Sequence, residues 1–166
     1  AYPDQDFEGA IYAIDPAVTQ LNRSRLRIAM DEISTVGNVT FVPRTSEPHY
    51  LYVQNGSGNS SFVGRIGGSQ AVNLVSWNER YVIIHELYHA LGQWHEQQRP
   101  DRDTYVIINQ ANVNPANFPQ NFNIPGGVTA QGPYNFESIM HYGRCDFSIC
   151  GCSATCTVID PRPGFE

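Results

Sequence analysis

Hydrophobic and polar positions follow two different periods along the chain. In the first half, short runs rich in β-branched and aromatic residues are separated by glycine, proline and polar turns, a pattern typical of β-strands. A segment of glycine, serine and asparagine at residues 55–61 predicts a flexible loop. The runs predict strands at residues 10–15, 38–43, 49–54, 62–68 and 70–75.

Two other segments carry apolar residues at spacings of three and four, the period of an amphipathic helix. The first follows Thr19, a residue type that caps helix N-termini, and covers residues 20–34. The second covers residues 78–92. No strong period follows His95, and prolines crowd residues 96–166, which predicts largely irregular loops with a short helix. We expect a bound metal and disulfides to order that half.

Length and composition predict one folded domain. The chain has 166 residues, 41% of them hydrophobic and 16% charged, so it can bury a core. Its 10 basic residues stand against 16 acidic ones, a formal charge of −6, and Arg23, Arg25 and Arg27 are expected on the solvated face of a helix. Nucleic acid is therefore not an expected partner. No apolar run is long enough for a membrane-spanning helix.

Four cysteines lie within twelve residues near the C-terminus: Cys145, Cys150, Cys152 and Cys156. An even number in a loop-like segment favours local disulfides and an oxidising compartment, so we expect a secreted protein. A zinc site made of four thiolates is the alternative, but it usually shows paired C-x-x-C knuckles, which this spacing lacks. The pairing cannot be deduced from the spacing.

The segment HELYHALGQWHE, residues 85–96, holds three of the five histidines. On a helix, His85 and His89 lie one turn apart on the same face and can share a metal ion. Gly92 can end the helix in a left-handed conformation, so that the chain turns back and His95 becomes a third ligand. Three neutral imidazoles leave one position on zinc open for water, and Glu86 can act as its general base.

A lone H-E-x-x-H also arises by chance in helices. The longer pattern H-E-x-x-H-x-x-G-x-x-H is much rarer, because a glycine must fall where the helix has to break. The sequence therefore predicts a site for one catalytic Zn²⁺ and the hydrolysis of a carbonyl compound by metal-activated water.

The same residues resemble the metzincin zinc peptidases. Glu96, directly after the third histidine, resembles the astacin family within that clan, and residues 138–142, SIMHY, resemble its Met-turn. The similarity extends through residues 41–45, 62–68 and 95–109. Another metzincin family is disfavoured by Glu96 and by Tyr142 in the Met-turn.

The resemblance implies roles for individual residues. His85, His89 and His95 would bind zinc, and Glu86 would be the base and then the proton donor to the leaving amine. Tyr142 would be a switchable fifth zinc ligand that swings away to donate a hydrogen bond to the oxyanion, a role that a phenol can fill chemically. Met140 would form the hydrophobic base of the site. Taken alone, Met140 would more often be an ordinary core residue, and Tyr142 would more often be a packed surface residue.

Two further implications concern Glu96 and a strand. Glu96 would bind the amino terminus exposed when an inhibitory pro-segment is removed, and Ala1 is the candidate. The segment from Ser60 to Arg65 would pair with an extended substrate, although a plain edge strand has the same pattern. Its candidate substrate-binding residues are Ser60, Ser61, Phe62, Val63, Gly64 and Arg65.

The resemblance is incomplete after the Met-turn. The usual cysteines of the family are absent, the four cysteines lie in residues 145–156 instead, and the chain ends sooner after Tyr142 than family members do. We expect the cysteine loop to shape the primed side of the cleft, so substrate selectivity is not carried over.

The expected fold class is α+β, with residues 1–166 as one astacin-like catalytic domain. A twisted mixed sheet, two long helices above the cleft and the zinc helix would occupy residues 1–95, and a loop-rich part with the Met-turn would occupy residues 96–166. The expected function is that of a secreted zinc endopeptidase acting on proteins or peptides and made as a precursor. The alternative is a catalytically silent recognition module that retains the zinc site, which the presence of Glu86 disfavours. The sequence predicts no oligomeric state.

Overall fold

The computed structural model describes residues 9–165. The described part of the chain divides into two compact units, residues 9–93 and residues 94–165. The division therefore falls inside the histidine motif, between Gln93 and Trp94.

A five-stranded mixed sheet forms the first unit. Its strands are β1 (Ala10–Ile14), β2 (Phe41–Pro43), β3 (Tyr50–Asn55), β4 (Ser60–Ser61) and β5 (Ser69–Leu74), in the order β2-β1-β3-β5-β4. All neighbouring strands are parallel except β4, which runs antiparallel to β5 at the sheet edge. The prediction of an α+β fold with a mixed sheet is confirmed.

Two helices accompany this sheet, as the apolar spacing predicts. Helix α1 (Gln20–Val36) begins after Thr19, whose hydroxyl oxygen accepts a hydrogen bond from the Asn22 amide at 3.3 Å. Helix α2 (Arg80–Ala90) is buried on several sides and places Leu87 in the core. The core of the unit is built from α1, α2, β3 and β5, and its most buried residues are Leu26, Ala29, Ile33, Val53, Val72, Leu74, Ile83 and Leu87.

The strand predicted at residues 62–68 is wrong. Gly64, Gly67 and Gly68 adopt φ values of +72°, +85° and +66°, so the chain turns repeatedly instead of extending. The buried side chain of Gln70 supports these turns, because it donates to the Gly64 carbonyl at 2.9 Å and accepts from the Ile66 amide at 3.1 Å. Of the candidate substrate-binding residues, Ser60 and Ser61 lie in a strand and the other four do not.

Short elements make up the second unit. They are three 3₁₀ turns (Glu96–Gln98, Arg102–Thr104 and Gln110–Asn112), helix α3 (Phe118–Phe122) and strands β6 (Val106–Ile108) and β7 (Ile159–Pro161), which pair antiparallel. Their core consists of Val106, Val113, Phe122, Tyr134, Val158 and Ile159. Apart from the small sheet, whose strands are too short to show a period, this agrees with the predicted loops and short helix.

Buried arginines supply much of the order in these loops. Arg99 donates to the carbonyls of Gln131, Gly132 and Pro133 at 2.9–3.1 Å. Arg102 donates to the carbonyl of Gln97 at 2.8 Å and to that of Phe122. Each guanidinium satisfies backbone acceptors that have no strand or helix partner, so the loops can pack against a core.

The cysteines form two interlaced disulfides, Cys145–Cys152 and Cys150–Cys156. The disulfide prediction is therefore confirmed, and none of the described cysteines is free for a zinc cluster. No helix within residues 9–165 is long and apolar enough to cross a membrane.

Candidate active site

Helix α2 carries two of the three histidines of the motif. His85 and His89 lie one turn apart, with ring centroids separated by 4.6 Å and planes at 90°. The helix ends at Ala90, and Gly92 follows with φ at +99°, as the motif predicts. A β-carbon would strain this left-handed conformation, whereas glycine adopts it freely. The Gly92 amide donates to the His89 carbonyl at 2.8 Å and closes the turn that leads to His95.

The turn brings the three histidines together. One ring nitrogen each of His85, His89 and His95 forms a group in which all atoms lie within 4.8 Å of one another. Nitrogen atoms bound to one zinc ion at about 2.0–2.1 Å lie closer together than that limit. The three histidines are therefore positioned to hold a metal ion.

Hydrogen bonds select the ring nitrogen that can bind the metal. The His89 Nδ1–H donates to the Gln93 carbonyl at 2.8 Å, and the His95 Nδ1–H donates to Oε1 of Gln98 at 3.0 Å. These bonds place the proton on Nδ1 and leave the Nε2 lone pair to act as a ligand. Burial lowers the pKa of His89 to about 4, so this ring is neutral at pH 7, the form that binds metal.

Glu86 is a buried acidic residue beside the first histidine. Among the described residues, its Oε2 is a buried side-chain oxygen with no hydrogen-bond partner. Leaving such an oxygen unpaired costs free energy, so its retention indicates a ligand or a function. Burial raises the pKa of Glu86 to about 7. A divalent cation nearby would favour the carboxylate and lower this pKa.

The Met-turn places Met140 and Tyr142 in the second unit. Met140 is buried, and its carbonyl accepts a hydrogen bond from the Glu96 amide at 2.8 Å. This bond connects the Met-turn to the residue that follows His95. The Tyr142 ring packs on the ring of His95, with centroids 4.3 Å apart. Its hydroxyl donates to Oδ1 of Asn121 at 3.0 Å.

The side chain of Glu96 bonds partners in the same compact unit. Its Oε1 accepts hydrogen bonds from Nη1 of Arg99 at 3.1 Å and from the Asn135 amide at 2.9 Å. The carboxylate therefore does have a charged partner, as a half-buried acid requires. Ala1, the expected partner, lies outside the described residues.

Sequence reasoning missed three polar residues beside His95 and Tyr142. Gln97 and Gln98 are 0% and 1% exposed, and their side chains bond the backbone of residues 120–123. Asn121 supplies the acceptor for the Tyr142 hydroxyl. A pair of glutamines directly after a ligand histidine was the available signal, but nothing local shows that they are buried.

The chain matches known proteins over nearly its whole length. The model of the Astacin family of peptidases matches residues 5–163. Zinc metalloproteinase nas-14 of Caenorhabditis elegans is 38% identical over 156 residues, which cover 89% of this chain and 31% of that protein. High choriolytic enzyme 2 of Oryzias latipes is 46% identical over 113 residues, covering 67% of this chain and 40% of that protein. The chain thus spans less than half the length of these relatives.

The fold matches as well. The structure of High choriolytic enzyme 1, described as a hatching enzyme zinc-protease from Oryzias latipes, superimposes with a TM-score of 0.83 at 37% identity. The match covers 93% of this chain and 76% of the other. The chain belongs to the astacin family of peptidases and carries the metalloendopeptidase domain of that family.

Proposed function

We propose that this protein is a zinc-dependent endopeptidase, with the metal held by His85, His89 and His95 and with Glu86 as general base. The observation that carries the proposal is the combination of three clustered imidazoles with a buried carboxylate oxygen that has no partner. A structural metal site would be completed by a fourth protein ligand and would not need that carboxylate.

The donor set fits zinc. Three imidazoles, two of which donate their Nδ1–H to other groups, form a site with room for a non-protein ligand, which is the arrangement of catalytic zinc. When bound, zinc would supply Lewis-acid polarisation of a water molecule and of the scissile carbonyl. The zinc metalloproteinases among the similar proteins support this choice of metal.

Protein side chains would move the protons. Oε2 of Glu86 has no competing hydrogen bond within the described chain, so it would accept a proton from the attacking water and pass it to the leaving amine nitrogen. The Tyr142 hydroxyl would leave Asn121 and donate to the oxyanion of the tetrahedral intermediate. At rest, Tyr142 would also be a fifth zinc ligand through an oxygen lone pair while its O–H donates to Asn121, and Met140 would form the apolar base of the site.

An extended peptide would bind along strand β4. Ser60 and Ser61 form the edge of the sheet, where a further strand can be added through backbone hydrogen bonds. The backbone of Gly64 is already engaged, because its amide donates to the His89 carbonyl at 2.8 Å and its carbonyl accepts from Gln70. Phe62 and Arg65 would therefore contact substrate through their exposed side chains.

The proposal includes an extracellular location and an inhibitory pro-segment. Two disulfides within twelve residues require an oxidising compartment to persist. Removal of a pro-segment would expose a new amino terminus, which Glu96 would bind in addition to its contact with Arg99.

Cleavage-site profiling tests the activity. The zinc-loaded protein is incubated with a proteome-derived peptide library, and Glu86→Gln, which keeps the shape of the side chain, serves as the matched control. We expect cuts by the parent protein and a loss of at least about a hundredfold in rate with the variant, since general-base catalysis contributes that much. Equal cleavage by both proteins would overturn the role of Glu86. Absence of cleavage with zinc bound would favour the silent recognition module.

A further inference from the structure

The Tyr142 hydroxyl has a dedicated acceptor in helix α3. It donates to Oδ1 of Asn121 at 3.0 Å, although the two residues are 21 positions apart in sequence. The Asn121 Nδ2 donates to the carbonyl of Asn117 at 2.8 Å. Because this second bond needs the nitrogen, the amide can present only its oxygen to the tyrosine. The orientation of Asn121 is therefore determined by the helix itself.

A buried glutamine ties both partners together. The side chain of Gln97 is fully buried, its Nε2 donates to the Asn121 carbonyl at 3.3 Å, and its Oε1 accepts from the Tyr142 amide at 3.1 Å. One side chain thus holds the backbones of both residues. The contact between the hydroxyl and the amide oxygen is consequently part of a closed hydrogen-bonded ring and does not depend on a mobile surface side chain.

Aromatic packing fixes the Tyr142 ring but leaves its hydroxyl proton undetermined. The ring centroid lies 4.3 Å from that of His95, 5.8 Å from that of Phe122 and 5.3 Å from that of Phe147. These contacts restrict the plane of the ring, whereas the hydroxyl can still rotate about its C–O bond. The hydrogen bond to Oδ1 of Asn121 gives the O–H a direction.

We propose that Asn121 is a positioning residue for the catalytic hydroxyl of Tyr142. An amide oxygen accepts a hydrogen bond without removing the proton, so Asn121 keeps the phenol neutral and holds its oxygen in place until an oxyanion forms. The hydroxyl then turns from Asn121 to the oxyanion with its proton still attached. This assignment rests on the role proposed above for Tyr142.

A double-mutant cycle tests the assignment. Asn121→Ala is compared with the parent protein and, separately, in a Tyr142→Phe background, with Asn117→Ala as the matched control in the same helix. Asn117→Ala removes a side chain that makes no capping hydrogen bond to helix α3, and it leaves in place the Asn117 carbonyl that accepts from Nδ2 of Asn121. Because the hydroxyl leaves Asn121 when the oxyanion forms, the variant loses a hydrogen bond that is made only before the transition state. We therefore expect Asn121→Ala to raise kcat about fivefold, the effect of one hydrogen bond, with KM changed by less than about twofold. In the Tyr142→Phe background, it should have no effect on kcat.

A binding measurement provides a readout besides turnover. Calorimetric titration of the zinc-loaded proteins with a phosphinic peptide, which mimics the oxyanion, should show about fivefold tighter binding for Asn121→Ala and no change when Tyr142 is already Phe. An equal loss in both backgrounds would mean that Asn121 only supports the fold, and unchanged kcat and binding in the parent background would mean that it does not position the hydroxyl. If Tyr142→Phe alone changes neither kcat nor binding, the role of Tyr142 fails, and it fails separately from that of Glu86.

Discussion

Replacement of Gln98 by methionine should weaken zinc binding. The Gln98 side chain is 1% exposed, and its Oε1 accepts the Nδ1–H of His95 at 3.0 Å. Its Nε2 donates to the carbonyls of Gln120 and Asn123 at 3.0 and 3.1 Å, so the amide cannot turn away from the histidine. Methionine keeps the length of the side chain but offers only a weak sulfur acceptor, so the imidazole of His95 would lose its orientation and some of its basicity.

Loss of a hydrogen bond behind a metal ligand typically costs about ten- to a hundredfold in metal affinity, or about 1.4–2.7 kcal/mol. The loss of protein stability should lie near the lower end of about 1–3 kcal/mol. The two carbonyls released by the substitution belong to exposed residues and can bond to water instead. Zinc affinity should therefore fall more than stability does.

Gln93→Met is the matched control. His89 bonds the backbone carbonyl of Gln93, so the substitution leaves that bond intact, and the side chain is exposed. Competition with a chromophoric zinc chelator at fixed pH measures both affinities, and chemical denaturation of the metal-free proteins measures stability. If Gln98→Met binds zinc as tightly as Gln93→Met does, the reasoning is refuted and the hydrogen bond to His95 contributes nothing to metal binding.

Three further predictions concern the fold around the site. Gly92→Ala should destabilise the protein by about 1–2 kcal/mol in chemical denaturation, because φ at this position is +99°. Gly58→Ala is the control and should change stability little, because a β-carbon at residue 58 would contact no atom within 4 Å. Equal effects of the two substitutions would refute the strain argument. Phe122→Ala should cost about 3–5 kcal/mol, since the ring is fully buried, and a cost below about 1 kcal/mol would show that the core relaxes around it. Hydrogen bonds from Arg99 hold the pKa of Asp101 below 3.8, so its stabilisation should be present above about pH 4 and lost as the pH falls through the lowered pKa. Thermal melts from pH 7 to pH 2 should show a smaller acid-induced decrease in Tm for Asp101→Asn, and an unchanged decrease would contradict the assignment.

Local features of the chain were predictable wherever a short segment carries its own geometry. The four-residue spacing of His85 and His89 puts both on one helix face, and Gly92 can adopt the left-handed conformation that turns the chain toward His95. Thr19 caps α1 because its hydroxyl oxygen accepts a hydrogen bond from the Asn22 amide, three residues later. Each of these depends on backbone geometry within about one to three helical turns, which any chain with those residues would adopt.

Other local patterns were ambiguous. Residues 62–68 contain apolar residues suited to a strand, but three glycines there have positive φ because Gln70 and the His89 carbonyl hold the turns. The cysteine spacing favoured disulfides over a metal cluster but left the pairing open. In the folded loop the pairs are Cys145–Cys152 and Cys150–Cys156.

The sequence by itself determined the cluster of three histidines positioned to hold a metal ion, the neighbouring acid and the class of fold, because these follow from periodicity and from a motif of twelve contiguous residues. Tertiary structure alone decided that Gln97 and Asn121 lie against Tyr142 and that Gln98 is fixed beside His95, since the contacts that hold them span 21 to 45 residues along the chain. It also gave Glu96 its contact with the Asn135 amide, 39 residues away. Such contacts form only after the loops between the two partners have closed, and loop closure costs conformational entropy. Burial of side chains over the whole unit offsets that cost, and no short stretch of sequence encodes this burial.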